Sequence, residues 1–306
     1  MAATAATTTP VFDLDLSQGA PRRAVQAAER ALIALRAAPP DMEAAVRQAL
    51  DDATGDAAAA PAIRHAALAI AQAVERHGAG FPPGQEPAYH DRHHQAEATR
   101  AMGWLAGAAR RMGLLNAEEA ALAVATIAAH DLLHDGKVHA VRGVLERRSA
   151  EAASAIAAEH GMSPAQIAAL RRGVIATTWP WDDAEATDLA SRLAREADLF
   201  GSALPTLGPR LSRLLARELA STNQPAAEGV ATHAARVALL RLMPPASPPA
   251  QALGLDATRS AQVAAYAGVA RRLGLPGSTA EDGAAALDAL DPADADALLA
   301  WSETGA

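Results

Sequence analysis

Six of the chain's 10 histidines fall in two short segments, PAYHDRHHQAEA (87–98) and AAHDLLHDGKVHA (128–140). Imidazole is the commonest metal ligand and the one side chain that ordinarily titrates near neutrality, so such clustering points to metal binding or proton transfer. His90 and His94 stand four apart, as do His130 and His134. On a helix each pair shares a face, and His93 points away. Asp131 directly follows His130, where a carboxylate can serve the same cation as its neighbour and bridge to a second. Cysteine is absent, so any ion must be held by His, Asp, Glu and water. Two segments leave a shell incomplete. The downstream READLFG offers Asp198 among Ala197, Leu199 and Phe200, a setting in which an unpaired aspartate is costly.

These segments resemble the HD-domain metal-dependent phosphohydrolases, in which an HD pair, an upstream His and a downstream Asp sit on separate helices. The similarity is closer to the class I cyclic nucleotide phosphodiesterases. Tyr89-His90-x-x-x-His94 resembles their YHNxxH motif, HDLLHDG their HDxxHPG motif, VIATTWP (174–180) their LATD segment, and EADLFG their ADxS. The resemblance runs from Tyr89 to Gly201. It implies an all-α fold, an HD/phosphodiesterase-like helical bundle. It also implies two divalent ions: a first, Zn or Fe, held by His94, His130, Asp131 and Asp198, and a second, Mg or Mn, bridged by Asp131 and coordinated mostly by water. By the same resemblance a metal-activated hydroxide attacks a phosphodiester. His90 is then the general acid for the leaving oxygen, and His134 orients the hydroxide or a phosphoryl oxygen. His139, Lys137, Glu146 and Trp179 are candidates to flank the ligands or touch the substrate.

Some positions depart from the family pattern. Asp91 stands where the family has Asn, Asp135 where it has Pro, and His139 where Asn is usual. The late glutamine beside an aromatic clamp, the family's purine signature, is not recognisable, so phosphate-ester hydrolysis is expected without a purine preference. The alternatives are a nucleotidase or phosphomonoesterase on the same scaffold, an HD-fold di-iron oxygenase, or a non-catalytic module that keeps a metal for stability. The oxygenase needs extra histidines on its second metal, from His139 or His160.

The elements that must position these residues are helical. Half the chain is hydrophobic but only 3% is aromatic; Ala, Leu and Val dominate, which favours helices packed through small side chains. Asn116 with Glu119 predicts a helix start, running through His130, and Ser163-Pro164 with Gln166 predicts another. Ser149 is expected to cap a helix ending at Gly161. Further helices are expected from Asp188 through Asp198 to Gly201 and at 209–221, 226–243, 257–273 and 280–290. Residues 1–20 read as a flexible tail, 21–245 as the HD-type catalytic domain, and 246–306 as C-terminal helices beyond MPPASPP. A net charge of −8 argues against a nucleic-acid polymer as partner; a small phosphate ester is expected, a nucleotide among the candidates, with homo-oligomerisation left open. Neither a secretory signal nor a membrane-spanning run is evident, and a soluble, cytoplasmic protein is expected.

Overall fold

The computed structural model describes residues 21–57 and 59–304; the tail expected over 1–20 lies outside the described residues. The fold is all-α: among the described residues there are fifteen α-helices and no strand. Helices α1 (Pro21–Ala37), α2 (Met42–Thr54) and α3 (Pro61–Ala79) precede the first histidine segment. The middle of the chain forms α4 (Arg92–Arg111), α5 (Ala117–Ala128), α6 (Val144–Glu159), α7 (Pro164–Ala176) and α8 (Leu189–Asp198). Then come α9 (Leu207–Leu219), α10 (Gln224–Val230), α11 (His233–Leu242), α12 (Pro248–Ala252), α13 (Leu255–Arg272), α14 (Ala280–Asp288) and α15 (Pro292–Thr304). None of these helices is long and apolar enough to cross a membrane.

Local chemistry sets most boundaries. Asn116 and Glu119 form a reciprocal capping box on α5, as Ser163 and Gln166 do on α7, so backbone donors that the helix leaves orphaned are satisfied. Asp188 caps α8 by accepting from the Ser191 amide at 2.7 Å. Three expectations need correction. Helix α5 stops at Ala128, and His130 lies in the turn beyond it. Helix α6 starts at Val144, after Gly143 in a left-handed conformation (φ 72°). Ser149 is therefore inside the helix, fully buried, where it accepts the Leu133 amide at 3.0 Å. The expected helix 226–243 is two helices, because the Thr232 hydroxyl caps a new start by accepting from the Ala235 amide.

Helix α4 is the axis of the core. Every residue from His94 to Ala109 is buried, and the helix packs against α2, α5 and α8. Small side chains permit this: a Cβ at Gly103 would meet the Ala49 Cα of α2 at 2.7 Å. Polar groups on so buried a helix need partners. Glu97 accepts two bonds from the Arg36 guanidinium, at 2.7 and 2.8 Å. The Gln95 amide donates to the Asp131 carbonyl at 2.8 Å, tying the first histidine segment to the second. Met243, Ala246, Ala250 and Leu253, around the proline-rich 243–249 stretch, join this main core. Val237, Tyr266, Val269 and Leu287 form a second, smaller cluster.

Candidate metal centre

Asp91 caps α4 by accepting the His94 amide at 2.9 Å, which places His94 in the first helical turn. His130 leaves the end of α5, and its Nδ1–H donates to the Ile127 carbonyl at 2.7 Å. The His130 Nε2 lone pair is thereby free for a cation. Asp198 is the last residue of α8, a helix that packs on both α4 and α5. Three separate helices thus deliver these side chains to one point.

The four groups lie close together. The two Nε2 atoms of His94 and His130 are 3.3 Å apart. Asp198 Oδ1 is 3.2 Å from His94 and 3.5 Å from His130. Asp131 Oδ2 is 3.5 Å from His94 and 3.2 Å from His130. The result is two triangles sharing the His–His edge. A tetrahedral shell with bonds of about 2.0–2.1 Å has edges of about 3.3–3.4 Å, so the three distances among His94, His130 and Asp198 fit a cation. Direct charge-assisted hydrogen bonds would draw nitrogen and oxygen to about 2.7–2.9 Å. His94, His130 and Asp198 therefore form a group that could hold a metal ion, with Asp131 against it.

Without an ion these groups compensate one another. Burial opposes charge on His94, but the Asp131 and Asp198 carboxylates outweigh it and raise its pKa to about 9. His130 is likewise raised, against burial, chiefly by Asp131. Burial also opposes charge on Asp198, yet the two histidines bring its pKa down to about 2. Asp131 is held well below the usual carboxylate range by His130 and His94.

A second group adjoins the first. His90 precedes α4, so it does not share a helix face with His94; even so, the two rings lie 5.6 Å apart, edge to face. His134 sits in the turn after α5, not on a continued helix, and its ring stacks on His90 at 3.7 Å. His90 Nδ1 donates to Glu218 Oε1 of α9 at 2.6 Å. The other Glu218 oxygen accepts the Tyr89 and His90 amides at 2.8 and 3.0 Å. Although burial opposes its charge, this bonding to His90 lowers the Glu218 pKa to about 2. Burial, reinforced by the neighbouring His90, lowers His134 to about 4. His134 Nδ1 accepts the Gly136 amide at 3.1 Å, so the neutral ring carries its proton on Nε2.

Glu218 and Gln95 were not among the sequence candidates. A signal for Glu218 exists: it stands four residues after Leu214 and seven after Leu211, on the apolar face of α9, where a carboxylate needs a partner. Its partner, 128 residues away, is invisible in sequence.

A cavity of about 530 Å³ opens beside both groups; Tyr89, His90, His134 and Asp198 are among the residues that line it. Lys137, His139, Glu146 and Trp179 also line it. Lys137 is exposed. His139 Nε2 donates to Asp135 at 3.1 Å, a bond within its own loop. Burial, then the nearby Asp131 and Asp198 charges, raises the pKa of Glu146. Trp179 is 48% exposed; Trp181, not Trp179, packs against the core, with its ring 5.3 Å from that of Trp179. His93 is turned away: its Nε2 donates to the Ala38 carbonyl at 2.9 Å. Compared with protein-family models, curated proteins and solved structures, the chain matches none.

Proposed function

We propose that this chain is a metal-dependent phosphohydrolase of the HD superfamily acting on a phosphodiester, as the resemblance of its two histidine motifs implies. The observation that carries the reading is the adjacency of two unlike groups. One is a set of ligand atoms spaced for a cation. The other is a histidine bonded to a buried carboxylate. A metal kept only for stability has no use for the second group.

Bound ions would neutralise phosphoryl oxygens and lower the pKa of a water; His94, His130, Asp131 and Asp198 would hold the first. The remaining chemistry falls to the chain itself. Glu218 occupies the Nδ1 of His90, which leaves Nε2 as the atom that would give a proton to the leaving oxygen. Such general acid catalysis is worth about 10²- to 10⁴-fold. Neutral His134 offers an Nε2–H to a phosphoryl oxygen, and Lys137 places a positive charge at the cavity edge.

A second reading rests on one further observation: His90, His134 and Glu218 also present ligand atoms close enough to share an ion. In that arrangement they hold the second metal, which favours the di-iron oxygenase class. His139 and His160, the histidines expected to serve there, belong to neither group among the described residues; His160 Nδ1 donates to the Ile156 carbonyl.

Metal-replete protein assayed on bis(p-nitrophenyl) phosphate and p-nitrophenyl phosphate separates these readings. Diester hydrolysis abolished by chelator and restored by Zn or Mn is expected. No hydrolysis of either ester, or indifference to chelator, would overturn the proposal, and a preference for the monoester would move it to a phosphomonoesterase. His90→Ala should keep its full metal content. Loss of one equivalent, with oxygen uptake by the iron-loaded wild type, would favour the second reading.

A further inference from the structure

Part of the cavity lining differs in chemistry from the metal group. Leu211, Leu215 and Leu219 supply it from α9, Val230 from α10 and Leu239 from α11. The three leucines are spaced four residues apart, so they form one stripe along α9. Three exposed apolar side chains add to this lining. Val138, Val141 and Trp179 line the same cavity and are 56%, 62% and 48% exposed. Among the described residues no asparagine or glutamine lines the cavity, so base edges would find few neutral hydrogen-bonding partners there. A polar ester arm against these leucines would be desolvated with Ser212 as the neutral polar side chain beside it on α9; an aliphatic one would cover surface now facing water.

We propose that one ester arm of the substrate is an aliphatic chain, seated against the α9–α11 leucines while the phosphate lies toward His90, His134 and Asp198. This rests on the phosphohydrolase reading and goes beyond it in naming the substrate class. The arrangement along α9 supports it. Glu218, which holds His90, stands three residues after Leu215 and seven after Leu211 on α9, so an arm leaving the proton donor runs toward the leucines. The single lysine of the chain, Lys137, also lines the cavity, where its charge suits the phosphate.

The test uses the full chain loaded with Zn or Mn and two matched series. Alkyl p-nitrophenyl phosphates, from methyl to hexyl, report turnover, and n-alkylphosphonates of the same lengths report binding by calorimetry. Burial of each methylene should raise kcat/KM and the association constant about threefold to fourfold. Leu215→Asn and Leu239→Asn should each lower the hexyl-to-methyl ratio, a ratio that is insensitive to any fraction of misfolded protein. A flat dependence on chain length, or a preference for thymidine 5′-p-nitrophenyl phosphate over the hexyl ester, would overturn the proposal. If no ester is hydrolysed while phosphonate binding still rises with length, the hydrolase reading fails and the aliphatic site stands. If esters are hydrolysed without a length effect, the reverse holds.

Discussion

Replacing Glu218 by Gln keeps the shape of the side chain and removes its charge. The carboxylate accepts from His90 Nδ1 at 2.6 Å and from the Tyr89 and His90 amides at 2.8 and 3.0 Å. An amide presents one acceptor and one donor, so either the ring or the backbone pair must face an N–H. The Glu218 pKa falls from its ordinary 4.5 to about 2, a gap that corresponds to roughly 3 kcal/mol. Because the folded-state pKa is depressed, this stabilisation is present above pH 4.5 and is lost as pH falls through about 2. The wild type should therefore exceed Glu218→Gln in unfolding free energy, measured in urea, by up to about 3 kcal/mol near neutrality. The difference should shrink toward pH 2. In turnover, the variant should lose about 10²-fold or more on phenyl phosphodiesters, whose leaving group needs a proton, and far less on p-nitrophenyl esters. Metal content should not change. An equal loss on both esters, or a stability difference that ignores pH, would refute the assignment of Glu218 to His90.

Three further outcomes are expected. Asp131→Ala should lose both metal, by elemental analysis, and hydrolysis; an active, metal-loaded variant would count against its place in the cluster. Zinc added to metal-free protein at pH 7 should release protons in a pH-stat, because His94, raised to about 9, must give up its proton to bind. In the metal-free protein that raised pKa adds stability below about pH 6.5 that disappears as pH climbs through about 9, so apparent zinc affinity should rise over this window. Gly103→Val drives a Cβ toward the Ala49 Cα, 2.7 Å away; it should lower stability in chemical denaturation by about 1–3 kcal/mol or more, and an unchanged midpoint would contradict the tight α2–α4 contact.

Local chemistry was legible in the sequence because it acts over three or four residues. Asn116 with Glu119, Ser163 with Gln166, and Asp188 announce helix starts that the fold contains. The low aromatic content announces close helix packing, and spacing alone singles out His90, His94, His130 and Asp131. Periodicity misplaced His90 and His134, for it presumes a helix that Asp91 begins one residue too late and Ala128 ends too early. Ser149 read as a cap because a hydroxyl near a helix start is ambiguous until its burial is known.

Asp198 stood out in sequence by its apolar setting and by the family resemblance, but the contacts themselves are tertiary. That Asp198 comes within 3.5 Å of two imidazoles depends on how α8 lies across α4 and α5. That Glu218 holds His90 depends on α9 returning to the start of α4. Such partners are chosen by the burial of whole helix faces, which sums contacts over the entire chain, and no local spacing carries that information.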